Sequence, residues 1–259
     1  MRRLRGLLQK RSARWAERVF VAEGAELLRS ALAAGTPIES IYLAPDGVND
    51  PSLRAACESA VTAGARLFTL APGVLERVAD TVTPQPVLAV LPMFDGAALP
   101  APPTAPLVVV MVDVRDPGNA GTVLRTADAA GVSAVLFGGD AVDPYNPKTV
   151  RSSAGSIFHV PFSVHPDPLA LAQALGQAGY RTLATVVREG TDYASLDWTE
   201  PTALFVGNES AGLSDEVVAA VTASVGIPMD GQAESLNVGV ATAVVCFEAL
   251  RQRRQAAAS

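Results

Sequence analysis

The sequence predicts an α/β protein in two parts, a small α/β layer domain followed by a larger, mostly parallel sheet. Three observations lead there. Short β-branched or apolar runs alternate with helical stretches along the whole chain. "DGAALPAPPTAP" (95–106), with four prolines and four alanines and no apolar periodicity, interrupts that alternation as an interdomain linker would. The runs after the break are continuously apolar rather than alternating, which indicates a sheet covered on both faces.

In order, "RVFVAEG", "IESIYLA", "ARLFTL" and "PVLAVLP" are the candidate strands of the first part, with helices over 24–34 and 51–63. The second part offers "LVVVMV" (107–112), "SAVLF" (133–137), "RTLATVV" (181–187), "ALFVG" (203–207) and "SVGIPM" (224–229). The expected division is therefore residues 1–94, a linker at 95–106, and 107–259. Ligands of such sheets sit at the carboxyl ends of the strands.

Composition limits the function classes. At 259 residues and 49% hydrophobic, the chain can bury one large core or two smaller ones. Cys57 and Cys246 lie far apart without a C-x-x-C pair, which argues against a disulfide framework or zinc site and for a reducing compartment. The basic start "MRRLRGLLQKR" lacks the apolar segment of a secretory signal, so a cytoplasmic protein is expected. The longest uncharged run near the C-terminus spans 13 residues between Glu234 and Glu248, short of the ~20 that cross a bilayer, so no membrane is expected as partner.

The net charge of −6 is unevenly distributed. Residues 1–94 carry 11 Lys/Arg and 9 Asp/Glu, and residues 95–259 carry 9 and 17. Arg2, Arg3, Arg5, Lys10, Arg11, Arg14 and Arg18 face only Glu17 within the first 18 residues, which suits either a solvated helix face or an anionic partner.

Three loops after apolar strands carry the polar chemistry. In "DVRDPGNAGTVLRTADAAG" (113–131), turn residues lead into a helix expected near Ala120, with Arg125 one to two turns in. Arg125 either meets a phosphate or carboxylate bidentately or pairs on the helix surface with Asp128 or Asp116. "GNESAGLSDE", opened by Gly207, is not a nucleophile elbow, because Ser210 stands one position too far and no histidine follows. Glu209 there is a helix-capping carboxylate or a site group. No Walker A or G-x-G-x-x-G motif follows any strand. "IPMDGQAESLN" (227–237) leads into an apolar helix expected to start near Ser235, whose hydroxyl is the expected N-cap. Asn237 would fall in that helix's first turn, where an unpartnered buried amide costs about 1–3 kcal/mol. It is either a local cap or part of a site.

Together the loops resemble the three motifs of the SpoU/TrmH RNA methyltransferase family: N-x-G-x-x-x-R-T-A at 119–127, V-G-N-E-x-x-G-L at 206–213, and I-P-M-x-G-x-x-x-S-L-N-V at 227–238. "RSSAGSIFHVPF" (151–162) resembles the segment the family carries between its first two motifs. "FVAEGAELLRSAL" looks like the ribosomal-protein-like substrate-binding domain often fused in front. The resemblance implies a SPOUT fold with a trefoil knot, and transfer of a methyl group from S-adenosyl-L-methionine to a ribose 2'-hydroxyl of structured RNA, rRNA ahead of tRNA. It implies a homodimer, with the arginine of one subunit facing the cofactor of the other, and no metal.

Carried over by position, Arg125 acts at the 2'-hydroxyl, and Asn119, Glu209, Ser235 and Asn237 surround cofactor and substrate. Leu204, Gly207, Ile227, Met229 and Leu236 are the implied cofactor contacts. A guanidinium titrates above pH 12, so its use as a literal base at neutral pH would need roughly 7 kcal/mol, and orientation of the ribose by charge is the cheaper role. Gly239 departs from the family pattern, where a small hydroxyl residue is frequent, and a weaker helix is the expected consequence. The alternative is an RNA-binding SPOUT protein without turnover.

Overall fold

A computed structural model describes residues 1–79, 84–94, 96, 98–102 and 106–258. Residues 95, 97 and 103–105 of the expected linker lie outside the described set. The chain packs into two compact units, Met1–Asp95 with Asp143–His159, and Gly96–Val142 with Val160–Ser259. The units are thus not the two contiguous stretches expected from the sequence. Residues 143–159, placed in the second part by the sequence reading, pack with the first, for reasons visible in their side chains.

In the first unit, β1 (Val19–Glu23), β2 (Ser40–Leu43), β3 (Arg66–Thr69) and β4 (Val87–Pro92) form a sheet of order β1-β4-β2-β3. Of its three pairings only β2–β3 is parallel, with β4 antiparallel to both of its neighbours. The Arg2–Gln9 helix buries Leu4, Leu7 and Leu8, an i, i+3, i+4 set, against Val19, Val21, Leu88 and Val90. Residues 143–159 are held by a buried carboxylate. Asp143, 4% exposed, accepts two hydrogen bonds from the Arg14 guanidinium (3.0 and 2.6 Å), one from Trp15 Nε1 (3.1 Å) and one from its neighbour's backbone at Tyr145 (3.1 Å). Arg14, 2% exposed, also donates to the Leu7 carbonyl. Arg151 donates to the buried Glu23 at 2.9 Å, and Tyr145 packs on Phe20.

In the second unit, β5 (Leu107–Val112), β6 (Ala134–Gly138), β7 (Phe162–His165), β8 (Arg181–Thr185), β9 (Thr191–Asp192), β10 (Thr202–Val206) and β11 (Ala223–Gly226) make one sheet of order β7-β6-β5-β10-β8-β11-β9. Every pairing is parallel. Every residue of β5, β6 and β10 is buried, as their continuous apolar runs require. β7 and β9 escaped the sequence reading. Both pair on one side only, β7 is half covered and β9 is two exposed polar residues, so neither carries an apolar run.

One capping device recurs. Asp50-Pro51, Asp116-Pro117, Asn146-Pro147 and Asp167-Pro168 each place a side-chain acceptor at the N-cap and proline at the first helical position. This moves the start of the Pro117–Ala130 helix three residues ahead of the expected Ala120. The last helix begins at Val238, not near Ser235.

Candidate active site

The crevice forms where β5, β8, β10 and β11 end together, because parallel strands deliver their following loops to one edge. It holds a cavity of about 170 Å³. Val206, Val225, Ile227, Met229, Leu236 and Val245 give it apolar walls, and Glu209 and Ser235 add polar groups. Gly207 must be glycine, since a Cβ there would overlap the Gly212 backbone where the loop folds back on itself.

The polar side of the crevice is a chain of amides ending on a carboxylate. Asn237 caps the last helix: its Oδ1 accepts from the Gly239 and Val240 N–H groups (2.9 and 3.3 Å), and its carbonyl accepts from Ala241 N. Its Nδ2 donates to Asn119 Oδ1 at 2.8 Å, and Asn119 Nδ2 donates to Glu209 Oε1 at 2.9 Å. Glu209 also accepts from the backbone N–H of Asp116 (3.1 Å) and Arg115 (3.3 Å). Burial alone would push the Glu209 carboxyl up. The Asn119 amide and the backbone N–H groups of Glu209 itself, Asp116 and Arg115 outweigh it and hold the carboxyl below the usual glutamate range.

This chain corrects two expectations. Ser235 is not the N-cap, because Asn237 occupies that position two residues later and accepts the first free N–H groups. Asn237 is exposed rather than interior, so its amide faces water on one side and Asn119 on the other. Asn237 is a local cap, and its free Nδ2 ties it to Asn119 beside the cavity.

The remaining candidates divide. Glu209, Gly207, Ile227, Met229, Ser235 and Leu236 line the cavity, and Asn119 and Asn237 join it through the amide chain. Leu204 does not reach it. It is fully buried in the middle of β10, and Val206, at the strand's end, forms the wall instead. Arg125 is exposed and makes neither of the anticipated ion pairs with Asp128 or Asp116; it bonds to no described residue and does not line this chain's cavity.

Gly239 has a stronger role than helix weakening. A Cβ there would stand 2.9 Å from Thr122 Cγ2 and 3.2 Å from Asn237 Oδ1, so its absence lets the last helix lie against the Pro117–Ala130 helix. The sequence reading passed over Asn208 and the 185–187 loop, which also line the cavity. The signal for Asn208 was its place between an obligatory glycine and Glu209. The signal for the 185–187 loop was its position at a strand end on the ligand-bearing edge.

Residues 106–247 match the SpoU rRNA Methylase family, and residues 1–89 match the MRM3-like substrate binding domain. The chain is 34% identical over 240 residues to the 23S rRNA (guanosine(2553)-2'-O)-methyltransferase RlmP of Bacillus subtilis, covering 93% of this chain and 92% of that protein. It is 40% identical over 153 residues to the tRNA (guanosine(18)-2'-O)-methyltransferase of Thermus thermophilus, covering 58% of this chain and 77% of that one. Among solved structures, the SpoU methyltransferase AviRb from Streptomyces viridochromogenes in complex with the cofactor AdoMet superposes with a TM-score of 0.87 at 30% identity, covering 98% of this chain and 97% of that one.

Proposed function

Because the chain belongs to the SpoU rRNA methylase family, we propose that it methylates a ribose 2'-hydroxyl of structured RNA with S-adenosyl-L-methionine as donor, rRNA ahead of tRNA. The observation that carries this reading is the convergence of Asn119, Glu209 and Asn237 from three distant loops beside an apolar cavity. Preference for rRNA rests on the extent of likeness: the rRNA-modifying relative matches both units, the tRNA-modifying one only part of the chain. The motif resemblance carries the trefoil knot, and the ribosomal substrate together with two buried free cysteines supports a cytoplasmic setting.

The cavity fits the donor. Val206, Ile227, Met229 and Leu236 offer apolar walls to an adenosine, and Glu209 and Ser235 stand beside them. When bound, S-adenosyl-L-methionine supplies a methyl group already activated by its sulfonium. The protein's task is then alignment, which can account for much of the rate of such a transfer. Glu209 and Asn237 fix Asn119 and the first turn of its helix. Arg125, without a partner among the described residues, binds a phosphate next to the acceptor ribose in a forked contact and orients the hydroxyl.

Arg125 serves the cavity of a second copy in this reading, with a homodimer completing the site. Val240 and Phe247, each 48% exposed on the last helix, support that contact. In the first unit, Arg2, Arg5, Lys10 and Arg11 are exposed and pair with no described carboxylate, which suits phosphate contacts along the RNA.

The test is tritiated methyl transfer to total RNA from a deletion strain, with calorimetry for the donor and mapping of the modified site. Donor binding without transfer would favour an RNA-binding protein that lacks turnover. Arg125→Ala and Glu209→Gln, each impaired alone, should recover transfer when co-expressed, since the mixed dimer holds one intact site. No recovery would place Arg125 in its own subunit's reaction.

A further inference from the structure

Glu209 joins the β10 loop to the β5 loop, but a carboxylate on a long side chain cannot by itself keep two loops in register. Its neighbour does something the amide chain does not explain. Asn208 Oδ1 accepts from Ser210 N (2.9 Å) and Ala211 N (3.0 Å), while its backbone pairs with Gly212 in both directions (3.0 and 2.9 Å). The 208–212 turn is therefore closed twice. Asn208 Nδ2 then crosses to the other loop and donates to the Asp113 carbonyl at 2.9 Å.

Asp113 is the first residue after β5 and has φ +53, the left-handed region that non-glycine residues other than Asn and Asp rarely adopt. Its Oδ1 accepts from Asp140 N at 2.7 Å, and its N–H donates to the Gly138 carbonyl at 3.1 Å. Both contacts secure a conformation that is otherwise costly, and that conformation sets where the carbonyl received by Asn208 points.

We propose that Asn208 and Asp113 form a positioning pair that sets the distance between the β10 and β5 loops, and so keeps the Glu209 carboxylate in reach of Asn119 and the Asp116 N–H. The inference rests on the reading of Glu209 as part of the transfer site. The Asn208 amide acts through Glu209 rather than on the reacting atoms. Asp113 acts through its backbone shape, so what matters at 113 is tolerance of positive φ, not charge.

The experiment compares four variants with Glu209→Gln. Asn208→Asp puts an acceptor against the Asp113 carbonyl while keeping the turn's acceptor, and Asn208→Ala removes both. Each should lower kcat for RNA methylation by about ten- to a hundredfold, the scale of a displacement near 1 Å, a larger factor than any loss of S-adenosyl-L-methionine affinity read by calorimetry. Asp113→Val, which disfavours positive φ, should behave like the Asn208 variants, and Asp113→Asn, which tolerates it, should retain parental kcat.

Parental kcat in both Asn208 variants, or equal loss in Asp113→Asn and Asp113→Val, overturns the pair. Unfolding of both Asn208 variants and Asp113→Val also overturns it, since the contact would then hold up the domain rather than aim a carboxylate. Unimpaired Glu209→Gln would instead overturn the underlying reading of the site, which separates the two failures.

Discussion

Two carboxylates in this protein each collect several hydrogen bonds, and they do opposite work. Asp143 is 4% exposed and saturated, with both of its oxygens engaged and a guanidinium to cancel its charge. Glu209 is exposed at a cavity edge and, among the described residues, receives neutral donors: the Asn119 amide and the backbone N–H groups of Asp116, Arg115 and Glu209 itself. The first arrangement consumes its charge to fix a chain segment. The second preserves a negative charge, oriented but unneutralised, beside a space for a ligand. Donor number alone does not distinguish a carboxylate that fixes a chain segment from one left charged at a cavity edge. The presence of a cation and the access of water do.

The sharpest way to break this comparison is at Arg14. Arg14→Ala leaves Asp143 buried without its cation and should cost about 3–5 kcal/mol in urea unfolding, while methylation per folded molecule stays unchanged. An Arg14 variant as stable as the parent would show that water reaches Asp143 and that the two carboxylates are alike. Gly239→Ser should come next, because its Cβ meets Thr122, and a core forced to take extra atoms loses about 1–3 kcal/mol. Thr122→Ala in the same chain should recover most of the loss.

Asn237→Ala sharpens the comparison in the opposite sense. Loss of the cap costs about 1 kcal/mol of stability, yet methyl transfer should drop far more than that, since Asn119 loses its partner. Normal methylation by this variant would remove the amide chain from the site. The pH response is the smallest effect. With its carboxyl held below the usual glutamate range, near pH 4.3 for a free side chain, Glu209 contributes stability fully above that range. The contribution disappears only as pH falls through the lower folded-state value. Glu209→Gln should flatten that part of the acid unfolding curve.

Much of this architecture was legible because burial on both faces writes itself as unbroken apolar runs: β5, β6 and β10 were read at the right place. β7 and β9 were not, since an edge strand covered on one side needs no such run. The three motifs mark the loops that meet at the crevice and hold the carboxylate and amides joined there. What stayed hidden was conformational. Nothing in the residues around Ser235 says that Asn237, and not the serine, caps the helix, because either side chain can accept the N–H groups two and three residues after it. The packing role of Gly239 depends on a helix more than a hundred residues earlier. Asp143 reads as an ordinary loop acid until Arg14 and Trp15 are seen around it.

The non-contiguous make-up of the first unit constrains any attempt to build hybrids. A chimera joined at the proline- and alanine-rich stretch would take its front half from one parent and residues 143–159 from the other. Asp143 would then have to find its guanidinium, and Arg151 its glutamate, in a foreign partner. Moving the first unit intact between relatives therefore requires two exchanged pieces, the N-terminal 95 residues and this internal segment, moved together.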